Sequence, residues 1–111
     1  MIPNILSIVG SDPSGGARIK ADIKTISANG GYAMATITAL TAQNTIGVTS
    51  VEMVSTAMVS AQISALRADI RIDAIKIGML GTAAIIAAVR QALHGHDAPI
   101  VLDPVDGCQK W

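Results

Sequence analysis

An α/β fold built on a mostly parallel sheet, with helices on both faces, is what this sequence predicts. Three observations carry that expectation. Short apolar runs suited to strands alternate with stretches of helical periodicity, and Gly-rich or polar breaks fall between them. Strands that alternate with helices pair in parallel through right-handed crossovers, which places helices on the two faces of one sheet.

Asn4 to Val9 reads as a short buried strand, followed by the turn and helix-start residues GSDPSGG. From Ala17 to Asn29, Ile19, Ile23 and Ile26 recur at helical spacing with Lys20 and Lys24 on the other side, and Gly30-Gly31 supplies the stop. Tyr32 to Ala42 is rich in Thr, Ile and Ala without clean alternation, which predicts one strand buried on both faces. Val48 to Val54 reads as a further extended piece. A second helix is expected to begin near Ser55 or Thr56, with the stripe Val59, Ile63, Leu66 and Ile70, and Ala74 to Ile77 follows as a short strand. Thr82 is placed to cap a third helix carrying Ile85, Ile86, Val89 and Leu93, and Pro99 to Leu102 forms a last strand ending at Asp103-Pro104.

Bulk composition excludes several function classes. The 111 residues carry 8 basic and 8 acidic side chains, without the positive excess that neutralising a phosphate backbone requires, so no nucleic-acid partner is expected. The most apolar stretch, Ile77 to Val89, is broken by Gly78, Gly81 and Thr82 and falls short of the ~20 residues of a membrane span, so no membrane partner is expected either. The single cysteine, Cys108, cannot form an internal disulfide, and MIPNILSIVG lacks the charged n-region of a secretory signal, so a cytoplasmic setting is expected. Mean hydropathy is +0.50 and aromatic residues are nearly absent, a surface that expects a neighbour to cover it.

Ligands of such sheets bind beyond the carboxyl ends of the strands, which directs attention to Gly10 to Gly16, Gln43-Asn44, Gly78-Met79 and Asp103-Pro104. The loop GSDPSGG could present backbone N–H groups to an anion but lacks the Gly-Lys-Ser/Thr ending of a P-loop, and taken by itself it reads first as a plain strand-to-helix turn with Asp12 or Ser14 as N-cap. Asp22 lies three residues after Ile19 and four before Ile26, at the edge of an apolar stripe, where a carboxylate needs either a structural donor or a polar ligand. The Gln43 amide offers both a donor and an acceptor to a heterocycle edge, with a polar turn as the alternative. Met79 could pack on a flat ring or simply in the core. Asp103 could help hold magnesium through water or cap a turn. His94 and His96 have no ligand partners at metal-binding spacing and read as solvated.

Taken together and in order, ILSIVGSDPSGGARIKADIKTISANGGYAMATITALTAQNT, DAIKIGML and VLDPV resemble the hydroxymethylpyrimidine/phosphomethylpyrimidine kinases of thiamine biosynthesis. The resemblance covers residues 2 to 105 and implies the N-terminal part of a ribokinase-like, three-layer α-β-α fold, left incomplete. It implies ATP- and magnesium-dependent phosphorylation of the hydroxymethyl group of an aminopyrimidine and then of its monophosphate; related members phosphorylate pyridoxal. Gly10, Asp12, Asp22, Gln43 and Met79 match positions near that family's pyrimidine pocket, and Asp103 matches an acidic residue near its metal. Arg18 and Lys20 depart from the family's usual glycine and glutamine.

Family members are more than twice as long, and the resemblance places their anion hole, catalytic base and most of the nucleotide site in the portion beyond these residues. No catalytic residue is therefore expected here, and the chain is expected to be inactive alone. DGCQKW, residues 106–111, stands where the family writes MVAKSG: GAT GGT TGC CAA AAG TGG becomes ATG GTT GCC AAA AGT GG on loss of its first G. A frameshifted tail is the expectation. A complementing C-terminal half, a homo-oligomer and a non-catalytic interaction module are the competing expectations for partners.

Overall fold

β1 (Asn4–Val9) is the second strand of a four-stranded sheet in a computed structural model that describes residues 2–11 and 18–103. The sheet is parallel throughout, in the order β2-β1-β5-β6, where β2 is Tyr32–Ile37, β5 is Ala74–Ile77 and β6 is Ile100–Leu102. Successive side chains of a strand point to opposite faces, and parallel register then decides which residues share one. Leu6 stands beside Met34 and Ile75, and Ile8 beside Thr36 and Ile77. Ser7, between them in sequence, stands beside Ala35 and Lys76 on the other face.

Helices cover the two faces unequally. α2 (Thr56–Asp69) and α3 (Ala83–Ala92) pack together on the Leu6/Ile8 face, where Val59, Ile63, Ile85 and Val89 join Leu6, Ile8, Met34, Ile75 and Ile77 in one buried cluster. Each fully buried side chain of that kind contributes about 1.5–3 kcal/mol relative to exposure. Ser55 caps α2 by accepting from the Met58 N–H, at the expected start of that helix, and Thr82 caps α3 by accepting from the Ile85 N–H, as the sequence leads one to expect.

α1 (Arg18–Ala28) lies on the Ser7 face. It ends where Gly30 takes φ +86, a left-handed conformation open to glycine at little cost, while the Gly31 N–H returns to the Ile26 carbonyl. The buried stripe of α1 differs from the one expected. Ile19 is buried and Ile26 half-buried, but Ile23 is 38% exposed, and Asp22, 8% exposed, faces the sheet in its place.

The single strand expected over Tyr32 to Ala42 is two. β2 stops at Ile37: the Thr38 N–H still bonds the Val9 carbonyl at the end of β1, but the Thr38 carbonyl turns to accept from the Val54 N–H. The chain then leaves the parallel sheet. β3 (Ala39–Gln43) pairs antiparallel with β4 (Val48–Met53), forming a separate two-stranded ribbon whose β4 strand is exposed along its length. The turn between them is closed by Asn44, whose Oδ1 accepts from the N–H groups of Ile46 and Gly47.

Candidate functional site

Parallel strands deliver their carboxyl ends to one side of the molecule, and three groups of expected site residues gather there. Gly10 is buried at the end of β1, where its carbonyl accepts from the Ile19 N–H and ties the strand to α1. Met79 follows β5 and lines a cavity of about 150 Å³ together with Ala39, Thr41, Val51, Met53, Leu80 and Gly81. The cavity is thus shared between the β3–β4 ribbon and the loop after β5. Its walls are largely apolar, with the Thr41 hydroxyl as the polar exception.

Gln43 ends β3 and is half-buried, with its Oε1 3.3 Å from Thr41 Oγ1. The same Thr41 hydroxyl donates to the Ser11 carbonyl at 2.8 Å, so its one proton serves the shorter bond. Thr41 therefore ties the cavity wall to the segment following β1, with Gln43 beside it.

Asp22 receives the donors that a buried carboxylate requires. The Ser7 hydroxyl donates to Oδ2 at 2.6 Å, and the Lys76 ammonium donates to Oδ1. Register explains the meeting, since Ser7 and Lys76 are paired neighbours on β1 and β5 and both face α1. Lys76 Nζ also stands 3.4 Å from Asp103 Oδ2. Asp103 lies just beyond β6, with its N–H bonded to the Ile77 carbonyl at 2.9 Å and its side chain 52% exposed. Burial pushes the Lys76 ammonium down, but hydrogen bonding and charge from Asp22, then from Asp103, outweigh it, and its pKa lies above the ordinary lysine value.

Asp22, Lys76 and Asp103 thus form a carboxylate–ammonium–carboxylate chain from the interior to the ligand end of the sheet. Sequence reasoning identified its two acids and passed over Lys76 and Thr41. A lysine inside the strand AIKI was the available signal, because a cation at a sheet-facing position demands an anion nearby. Asp12 lies outside the described residues, as do residues 104–111, among them the tail and Cys108.

Among the described residues, no three His, Cys, Asp or Glu side chains are grouped to hold a metal, and no helix is long and apolar enough to cross a membrane. His96 serves a turn, its Nδ1 accepting from the Ala98 N–H. A larger hollow of about 630 Å³, lined by Ala87, Arg90, Gln91 and His94, sits at the carboxyl end of α3. That end lies at the amino side of the sheet, because a crossover helix runs back against its strands.

Residues 12–110 match the family described as phosphomethylpyrimidine kinase. The chain belongs to that family. It is 50% identical over 103 residues to the hydroxymethylpyrimidine/phosphomethylpyrimidine kinase of Salmonella typhimurium, covering 92% of this chain and 39% of the relative. The Rhizobium meliloti enzyme of the same description is 52% identical over 100 residues, covering 90% of this chain and 38% of that protein. A crystal structure of phosphomethylpyrimidine kinase from Clostridium difficile superposes with a TM-score of 0.89 at 46% identity, covering 93% of this chain and 45% of that one. The ADP complex of Bacillus subtilis pyridoxal kinase gives a TM-score of 0.84 at 33% identity, covering 95% and 42%. The architecture is therefore that of the ribokinase-like vitamin kinases, and the chain spans about two fifths of the length of these kinases.

Proposed function

We propose that this chain is the pyrimidine-recognising portion of an ATP-dependent kinase of thiamine biosynthesis, acting in the cytoplasm. The whole enzyme phosphorylates the hydroxymethyl group of 4-amino-5-hydroxymethyl-2-methylpyrimidine and then phosphorylates the monophosphate. The observation that carries this reading is the cavity of about 150 Å³ at the ligand end of the sheet, with Met79 in its wall and Gln43 beside it. A cavity of about 150 Å³ in another protein binds benzene, so the volume suits one aromatic ring. The Met79 thioether packs against the ring face, and the Gln43 amide reads its nitrogen edge with one donor and one acceptor. Gly10 borders the ring from the end of β1, and Asp22 contributes through the charge chain behind it.

Asp103 fits magnesium in the mode that cation prefers, one carboxylate supplemented by water and phosphate oxygens, because it is a half-exposed single acid at the end of the sheet. Bound magnesium and ATP would supply the transferable phosphoryl group and offset the charge on its oxygens. Ordering of these groups falls to residues beyond those described. β6 is an edge strand whose Ile100, Val101 and Leu102 are 40–60% exposed, and a C-terminal portion of the kinase is the partner we propose for it.

Binding of the aminopyrimidine, followed by the Met79 methyl resonance, tests the reading. Saturable shifts at Met79 and Gln43, at least tenfold weaker binding by Gln43→Ala, and no ATP turnover without a C-terminal portion are expected. Turnover at a normal enzymatic rate by this chain alone, or an unmoved Met79 resonance, would overturn it. Tighter binding of pyridoxal than of the aminopyrimidine would reassign the substrate to the class named for the Bacillus subtilis and Staphylococcus aureus neighbours.

A further inference from the structure

We infer that Asp22 is a positioning residue that acts on Asp103 through Lys76: it draws the ammonium inward and so leaves the Asp103 carboxylate open to a divalent cation. The inference rests on the cation role proposed above for Asp103 and adds a residue that never touches the cation. Lys76 has two acidic neighbours on the same face of the sheet. It is held closely by Asp22 Oδ1 and more distantly, at 3.4 Å, by Asp103 Oδ2.

Asp22 wins the ammonium because it is the less hydrated of the two acids. It is 8% exposed, its second oxygen is already held by Ser7, and a carboxylate so placed gains most from a full positive charge. Asp103, half in water, gains less from the same contact. The three groups sum to one negative charge, which falls at the exposed end, on Asp103. Asp22→Asn changes that distribution while keeping the side-chain shape and the acceptor for Ser7. The ammonium then has one carboxylate to serve, moves toward Asp103, and neutralises the group offered to the cation.

Two readouts separate this inference from the reading beneath it. Without metal, the ¹³C resonance of the Asp103 carboxyl reports where the ammonium sits. With Mg²⁺ alone as the probe, titration of the same resonance reports cation affinity. Asp22→Asn should shift the metal-free resonance and weaken Mg²⁺ binding roughly thirtyfold, the scale of one unit charge about 4 Å from a divalent cation in water. Asp22→Asn combined with Lys76→Met restores the single negative charge and removes the competing ammonium, so binding should return to the parent affinity or exceed it.

A purely structural role for Asp22 predicts the opposite order, with the double variant at least as impaired as the single one. An Asp103 resonance unmoved in Asp22→Asn, or a double variant that binds Mg²⁺ as weakly as the single, would overturn the inference. If Mg²⁺ leaves Asp103 of the parent chain unmoved, the cation role of Asp103 fails, while the metal-free comparison still decides whether Asp22 controls Lys76.

Discussion

Gln62 of α2 satisfies both backbone groups of Ile37 on β2: its Oε1 accepts from the Ile37 N–H and its Nε2 donates to the Ile37 carbonyl, each at 3.0 Å. β2 is an edge strand, so its outward N–H and C=O groups have no strand to pair with among the described residues. The side-chain amide supplies both hydrogen bonds at the last residue before the chain leaves the sheet.

Gln62→Leu keeps most of the volume and removes both bonds, leaving two half-buried backbone groups unpaired. A loss of about 1–3 kcal/mol is expected, read as a lower denaturant midpoint at unchanged m-value. Gln62→Glu retains the acceptor and loses the donor, and should fall between the parent and the Leu variant at neutral pH.

Thr36 makes the converse case. Its hydroxyl, like that of Thr38, is buried without a hydrogen-bond partner among the described residues, on the face where Ile8 is its register neighbour. Valine matches its shape and removes the unpaired oxygen. Thr36→Val should raise stability by about 1 kcal/mol, measured in the same denaturation series.

Both positions show where sequence and structure part company. The caps at Ser55 and Thr82 and the unit from β1 to α1 are legible because their causes are local: a side-chain oxygen, a helical period, a glycine stop. The break at Thr38 is not legible, since β2 and β3 have similar compositions and differ only in the strand each pairs with. Asp22 announces its need for a donor through spacing alone, but the donor's identity depends on the Ser7–Lys76 register, which joins positions far apart in the chain. Ile23 looks like a core residue by period and lies outward because α1 is set about its axis with Asp22 toward the sheet. The cavity at Met79 needs the β3–β4 ribbon, which hydrophobic patterning assigns to the main sheet.

Gly78 marks a close approach between the ends of β1 and β5. A Cβ added there would stand 2.4 Å from Cγ2 of Val9 and 3.0 Å from its Cβ, while the Gly78 N–H bonds the Ile8 carbonyl at 3.0 Å. Gly78→Ala must push the two strand ends apart, at an expected cost of about 1–3 kcal/mol. Adding Val9→Ala removes the closer of the two contacts, that with Cγ2, so the double variant should be more stable than the sum of the two single losses implies; strict additivity would refute the steric account.

At the amino ends of the strands, Asp73 joins β1 to the segment before β5. Its Oδ2 accepts from the Asn4 N–H at 2.7 Å, and Arg71 Nε donates to Oδ1 at 2.8 Å. The Arg71 hydrogen bond, then the Asn4 N–H, hold the Asp73 carboxyl down from 3.8 to about 2. A carboxyl whose pKa is lower in the folded state binds fewer protons there than in the unfolded chain between those two values. Its contribution to stability is therefore complete above pH ~4, declines as the pH falls from ~4 to ~2, and is gone below. Asp73→Asn should lower the thermal midpoint at pH 6 and bring the parent and variant curves together toward pH 2. Midpoints measured across that interval check the sign, and a difference that widens on acidification would show that Asp73 is not the group responsible.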